Sequence, residues 1–288
     1  MVKELSLKAD LLVQALPYIQ KFNNKTIVIK YGGNAMTTDL LKDAVIRDIV
    51  LLSLVGINIV LVHGGGPEIT DMLNRVQKES VFVDGLRYTD KETMDIVQMV
   101  LCGKVNKNLV SLINSVGGKA IGMSGMDGGM INAVKIRNGD KEYGYVGEIV
   151  SIEPKIVNDV IEKGYIPVVS SVAQGIDGSE VYNINADTVA SELAVALGAI
   201  KLILLTDVKG VMLDPSDEDS LLSHISASDI ADLIERKVIN GGMLPKIECC
   251  LNALNGGVER THIIDGRIEH SILIELLSDE GIGTMITI

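Results

Sequence analysis

Six short runs rich in isoleucine and valine recur along the chain, separated by segments of helix length. They are TIVIKY near 26–31, INIVLVH near 57–63, KAIGMS near 119–124, IPVVSS near 166–171, KLILLTDV near 201–208 and RTHIID near 260–265. Strands joined through helices pair in parallel and need cover on both faces, so the alternation predicts an α/β fold built on a mostly parallel sheet. The segment TDLLKDAVIRDIVLLSLVG shows the punctuation of one such helix, with Thr38 as N-cap and Gly56 as stop.

Two stretches depart from the alternation. INAVKIRNGDKEYGYVGEIVSI holds the hairpin signal RNGD between strand-like flanks and predicts a flap or lid beside the main sheet. Between Ser6 and Phe22, Leu11, Leu12, Ala15, Leu16 and Ile19 form a helical stripe that Pro17 interrupts, which predicts a kinked helix. That stripe is buried either on its own domain or against another subunit, and composition alone does not choose. The glycines of SSVAQGIDGSEVYNINAD place a boundary near 175–180, dividing the chain into 1–24, 25–178 and 179–288.

With 47% hydrophobic residues over 288 positions the chain has ample material for a core of one or two lobes. Its longest apolar stretches are broken by Ser53, Gly56, Asn58 or Asp207, so no transmembrane span is expected, and the N-terminus lacks the profile of a secretory signal. A cytoplasmic protein is expected. Cys102, Cys249 and Cys250 have no metal-ligand spacing and make no even framework, so they read as buried thiols. A net charge of −12 argues against nucleic acid and requires any anion site to gather its cations locally.

The glycine run in VLVHGGGPEI admits three readings besides a plain tight turn: an oxyanion hole, a dinucleotide site, or a phosphate cradle. The first needs a G-x-S-x-G elbow, and GMSGM fails at its fifth position. Neither G-x-G-x-x-G nor G-x-x-x-x-G-K-[ST] occurs. The third reading has a physical basis, because Pro67 suits a first helical turn and the glycines bring bare backbone N–H groups to a helix N-terminus. IVIKYGGNAM repeats the device, with Lys30 ahead of Gly32 and Gly33. Two such turns at the C-terminal edge of an open sheet face one crevice.

Further along, NINAD brings Asn183, Asn185 and Asp187 to a helix entry, where capping competes with ligand binding. In NGGMLPK, Lys246 sits in a first helical turn against the dipole, which implies an anionic partner. Arg87 in DGLRYTDKE precedes a predicted N-cap at Thr89 and is placed to grip a carboxylate with two hands.

Taken together, IKYGGNAM, VHGGGPEI, GLRYTDKE, NINADTVA, LLTDVKGV and GGMLPK resemble the amino acid kinase family from about Lys25 to the C-terminus. GLRYT with NINAD is similar to the members that phosphorylate N-acetyl-L-glutamate, the second step of arginine biosynthesis. The resemblance implies a three-layer αβα sandwich with an open sheet, the acceptor in the N-terminal lobe and ATP with Mg2+ in the C-terminal one. It implies that Lys30 and Lys246 stabilise the phosphoryl group while Asp187 orients them. It assigns Gly64, Gly65, Gly66, Arg87, Asn183 and Asn185 to the substrate side, the three glycines cradling the γ-phosphate. Lys30, Gly32, Gly33, Asp207, Lys209, Met243 and Lys246 fall to ATP, whose phosphates carry the metal without protein ligands.

Transfer to a carboxylate gives an acyl phosphate and needs no general base, so His63 is not expected to be catalytic. The arginine-inhibited members are ring-shaped homohexamers, trimers of dimers linked by an extra N-terminal helix. By resemblance Lys201, His262, Glu275 and Gly281 line an arginine site here, although Glu275 taken alone reads as an exposed helix charge. Two rivals remain: another acylphosphate-forming amino acid kinase, and a binding module that has lost turnover.

Overall fold

A computed structural model describes residue 10, residues 12–32 and residues 38–288. The first half runs α1 (Leu16–Phe22), β1 (Thr26–Tyr31), α2 (Asp39–Leu54), β2 (Asn58–His63), α3 (Gly66–Arg75), β3 (Phe82–Val83), β4 (Leu86–Arg87) and α4 (Lys91–Gln98). A π-helical segment, Met99–Val105, carries α4 into α5 (Asn106–Ser115), followed by β5 (Ala120–Ser124), β6 (Ile131–Lys135), β7 (Gly147–Ile152) and α6 (Lys155–Glu162). Then come β8 (Ile166–Ser170), β9 (Val172–Gly175), β10 (Val181–Asn183), α7 (Ala186–Ala196), β11 (Lys201–Thr206), β12 (His224–Ser226) and α8 (Ile230–Glu235). The chain closes with α9 (Leu244–Asn255), β13 (Arg260–Asp265), α10 (Ser271–Leu277) and β14 (Thr284–Thr287).

The eight-stranded main sheet has the order β12-β14-β13-β11-β1-β2-β8-β5 and is parallel except where β14 meets β13. It is the open αβα sandwich expected. Its strands alternate between two cores: in β1, Ile27, Ile29 and Tyr31 face one and Val28 the other. The first core is covered by α2, the 91–115 helix and α10, the second by α6, α7 and α9. Lys30 follows Val28 onto the second face, and so points toward α7 and α9.

Thr38 caps α2 by accepting a hydrogen bond from Leu41 N–H, and Gly56 takes φ +90° just beyond the helix, as the sequence predicts. The N-cap of α4 is instead Asp90, which accepts from Thr93 N–H at 2.8 Å. Thr89 is fully buried and donates its hydroxyl to the Arg87 carbonyl. The 91–115 helix is long and apolar enough to cross a membrane by length and composition. Its Met94, Val97, Val100, Leu101, Val105, Leu109 and Ile113 nevertheless pack into the first core, which is the behaviour of a central core helix.

The RNGD stretch is the outer part of a hairpin whose arms β6 and β7 belong to a second sheet, of order β10-β9-β6-β7. The 176–180 stretch is the turn between the antiparallel strands β9 and β10. At the N-terminus helix ends at Gln14, Ala15 is a turn, and Pro17 sits in the first turn of α1. Leu12 and Leu16 of the apolar stripe remain 77% and 48% exposed while Ala15 and Ile19 are half-buried, so among the described residues the stripe is only partly covered; Leu11 lies outside the described residues. Cys249 and Cys250 are buried and Cys102 half-buried, all three as free thiols.

Candidate active site

The C-terminal ends of β1, β2 and β11 lie side by side, with β1 at the point where the connections diverge to left and right, the place where open sheets bind ligands. Three elements deliver charge to that point. Lys30 comes from the end of β1, Asp187 from the first turn of α7, and Lys246 from the first turn of α9, which packs beside α7. Lys30 Nζ lies 2.8 Å from Asp187 Oδ1 as an ion pair outside hydrogen-bonding geometry, while Lys246 Nζ donates to Oδ2 at 3.1 Å. Burial pushes the Asp187 carboxyl up, but the two ammonium groups, Lys30 and then Lys246, outweigh it and hold the group below its usual range. The anionic partner that Lys246 requires is thus internal.

The second glycine turn lies against this cluster. The Gly64 N–H donates to the Tyr31 carbonyl at 3.3 Å, continuing the sheet by one step. Gly65 and Gly66 follow at the start of α3, where N–H groups have no intrahelical partner. A Cβ on Gly65 would stand 2.7 Å from Leu101 and 3.2 Å from Val105, so the π-helical segment forms the floor that requires glycine there. Around Gly66 a Cβ would meet nothing within 4 Å. His63 is fully buried beneath the turn, donating from Nδ1 to the Gly64 carbonyl at 2.8 Å and accepting at Nε2 from Asn106 at 3.1 Å. Burial brings its pKa down to about 4, so it is a neutral strut for the turn.

A cleft of about 280 Å3 opens above, and Lys30, Gly32, Gly64, Gly65, Gly66, Arg87, Asn183, Asn185 and Asp187 all line it. Gly33 lies outside the described residues. Arg87 is buried at one wall, its guanidinium 4.8 Å from the centre of the Phe82 ring. It donates to Ser80 Oγ, the Gly66 carbonyl and Thr70 Oγ1, and among the described residues it has no carboxylate partner. Three of its five N–H groups are thereby committed, both on Nη2 among them; the two left, on Nε and Nη1, lie on different edges of the guanidinium, so neither edge offers the two-handed grip read from the sequence. Ser80 and Thr70 carried no sequence signal. Asn183 donates to Thr89 Oγ1 at 3.3 Å, and Asn185 caps α7 by accepting from Asp187 N–H at 2.8 Å.

A second cleft of about 350 Å3 is lined by Asp207, Gly242, Met243 and Lys246. Lys209 follows on the same loop, close enough to Asp265 to help hold that carboxyl down. Since Lys246 lines this cleft and bonds Asp187 of the first, the lysine–aspartate–lysine cluster stands where the two adjoin.

Lys201, His262, Glu275 and Gly281 line a separate cavity of about 330 Å3, together with Tyr18, Lys21 and Phe22 of α1. Lys201 Nζ meets His262 Nε2 at 2.8 Å, and His262 Nδ1 meets Glu275 Oε1 at 2.7 Å. Glu275 Oε2 accepts from the N–H groups of Ile282 and Gly283. The Glu275 side chain is only 5% exposed, which corrects the reading of it as a surface charge. Burial, then Arg260, brings Lys201 down to about 8. Burial also lowers His262. For Glu275 burial acts upward, but the hydrogen bond from His262 and its other partners carry it below the usual carboxylate value.

A parallel sheet whose edge gathers glycine turns and paired lysines around one carboxylate defines an α/β protein built to handle phosphate. Residues 25–265 match the amino acid kinase family, and the chain belongs to that family. The acetylglutamate kinase of Pelotomaculum thermopropionicum is 59% identical over 288 residues, 97% of each chain. That of Clostridium kluyveri is 58% identical over 278 residues, covering 96% of this chain and 98% of its own. Among solved structures, the N-acetylglutamate synthase of Neisseria gonorrhoeae complexed with coenzyme A and N-acetyl-glutamate gives a TM-score of 0.84 at 25% identity. The match covers 97% of this chain and 63% of that one, so this chain spans less than two thirds of the synthase.

Proposed function

We propose that the chain transfers the γ-phosphoryl group of ATP to the side-chain carboxylate of N-acetyl-L-glutamate, forming N-acetyl-L-glutamyl 5-phosphate in the second step of arginine biosynthesis. The observation that carries this reading is the position of Asp187, bridging Lys30 and Lys246 where two clefts adjoin. The first cleft takes the acceptor, with Arg87 and Asn183 toward its α-carboxylate, and the second takes the nucleotide along Asp207 and Met243, with Lys209 on the same loop. The named relatives support that choice of acceptor.

The acceptor carboxylate is already ionised, so catalysis reduces to bringing two anions together and neutralising the charge that develops between them. Lys30 and Lys246 approach the phosphoryl oxygens from the two sides, held near each other by Asp187. The N–H groups of Gly65 and Gly66 supply fixed dipoles at the same point. Magnesium carried on the ATP phosphates supplies further charge neutralisation. Asp187 serves to hold the two cations close together, since a base would have no proton to take.

The Lys201–His262–Glu275 cavity is read as a site for feedback inhibition by arginine, with Glu275 facing the guanidinium. The exposed Leu12 and Leu16 support the companion reading that the N-terminal helix packs on another subunit, in a cytoplasmic homohexamer.

Arg87→Ala tests the acceptor assignment. Removing a buried charged partner is expected to weaken N-acetylglutamate binding by about tenfold or more, measured by calorimetry, with binding of a non-hydrolysable ATP analogue unchanged. Unchanged acceptor affinity would reassign the first cleft.

A further inference from the structure

The β3–β4 ribbon stands alone: its only strand pairing among the described residues is with itself. Its turn residues Asp84 and Gly85 have φ of 49° and 78°, the left-handed pair of a two-residue hairpin turn. Yet Phe82, Gly85, Leu86 and Arg87 of this ribbon line the acceptor cleft, so something other than a sheet must set its position.

Side chains hold its tip. Each Asp84 oxygen accepts from Lys141 Nζ at 2.8 Å, and Oδ2 also accepts from the Tyr143 hydroxyl at 2.6 Å. Both donors belong to the segment joining β6 to β7, whose last residue, Val146, lines the cleft. That segment is itself tied to the end of the ribbon. The Thr89 N–H donates to the Tyr143 carbonyl, and the Tyr145 N–H donates to the Thr89 carbonyl. Gly144 lies between them at φ +69°, where a Cβ would stand 2.1 Å from the Thr89 oxygen, so only glycine allows this approach. Thr89 in turn contacts the Arg87 carbonyl and the Asn183 amide.

We propose that Asp84, Tyr143 and Lys141 form a clasp that fastens the ribbon to the neighbouring hairpin and so fixes Phe82 and Arg87 around the acceptor. This rests on the reading of the first cleft as the acceptor site. Asp84 and Tyr143 are positioning residues that act through Arg87, and neither touches the reacting atoms. The two donors are unequal. Lys141 and Asp84 are 55% and 45% exposed, a setting in which an ion pair contributes little, whereas the Tyr143 ring is 1% exposed and its hydroxyl is aimed at the carboxylate. Without the clasp the ribbon must be ordered by the acceptor itself, which weakens binding and leaves the chemical step alone.

The test is steady-state kinetics of Asp84→Ala, Tyr143→Phe, Lys141→Ala and the Asp84/Tyr143 double variant, with N-acetylglutamate and ATP varied separately. Asp84→Ala and Tyr143→Phe are expected to raise the acceptor KM about tenfold each, with kcat and the ATP KM within about twofold of wild type. Lys141→Ala is expected to stay within about twofold throughout. The double variant should be no worse than either single one, since both remove the same contact. In wild type N-acetylglutamate should slow amide exchange in residues 82–87 and 138–145 together, and in Asp84→Ala only in the former.

An unchanged acceptor KM in a wild-type-like background overturns the clasp alone, as do additive effects. A fall in kcat together with a lower unfolding temperature also overturns it, because it marks a structural role. A wild-type enzyme that does not saturate with N-acetylglutamate overturns the reading of the cleft, and the clasp with it.

Discussion

At the scale of single residues, the proposed chemistry turns on a carboxylate that keeps two ammonium groups close together against their repulsion. Lys246 was legible because a cation in a first helical turn opposes the dipole and demands an anion, but its partner lies 59 residues away and no local pattern announces it. Lys246→Ala is expected to lower kcat by on the order of 10²-fold or more with little change in the acceptor KM, as when one preorganised charge partner is lost. A near-normal kcat would remove Lys246 from the mechanism.

His63, the residue of the glycine motif that first invites a catalytic reading, is a strut, and its titration should appear in stability rather than rate. Its pKa falls from 6.5 to about 4 on folding, so the unfolded chain takes the proton first and acid costs stability between those values. Asp48 behaves in the opposite sense. Burial raises it from 3.8 to about 6, above what His270 and its other partners can offset, so the folded chain holds the proton more tightly and stability from this group is lost as pH rises. Thermal unfolding from pH 7 to pH 4.5 should show the gap between wild type and His63→Gln narrowing in acid, and the gap to Asp48→Asn widening. Parallel trends for the two would contradict these assignments.

At the scale of elements, the parallel strands and their helices were readable because burial on both faces leaves continuous apolar runs that glycine and proline punctuate. The antiparallel β14 was not: four residues at a chain end carry too short a pattern to reveal direction. Nor was the burial of Glu275, which depends on the 282–283 backbone folding back over α10. The seat of the glycine turn was also hidden, because Leu101 and Val105 reach it through a π-helical stretch that displaces helical periodicity.

That seat makes a contrast of two neighbouring glycines informative. Gly65→Ala drives a methyl into Leu101 and is expected to cost about 1–3 kcal/mol with a visible drop in unfolding temperature, partly restored by Leu101→Ala. Gly66→Ala has open space and should leave stability within about 0.5 kcal/mol of wild type. Equal destabilisation by the two would show that the turn does not rest on the long helix.

At the scale of the molecule, an acidic chain with net charge −12 gathers its anion-binding groups at one edge of one sheet, so charge is local where it matters. The same sheet joins the two proposed functions. β11 begins with Lys201 in the proposed regulatory cavity, and Asp207 of the proposed nucleotide cleft follows its last residue, so one strand spans both. If arginine acts from that cavity, Glu275→Ala should keep basal turnover and lose inhibition.

The central claim is acyl phosphate formation on N-acetylglutamate, and hydroxylamine trapping of that product reads it directly. With ATP and Mg2+, wild type should form hydroxamate rapidly from N-acetylglutamate, at about a hundredth of that rate or less from glutamate or aspartate, and should slow when arginine is added. Equal hydroxamate from an unacetylated amino acid, or none from N-acetylglutamate, would contradict the account.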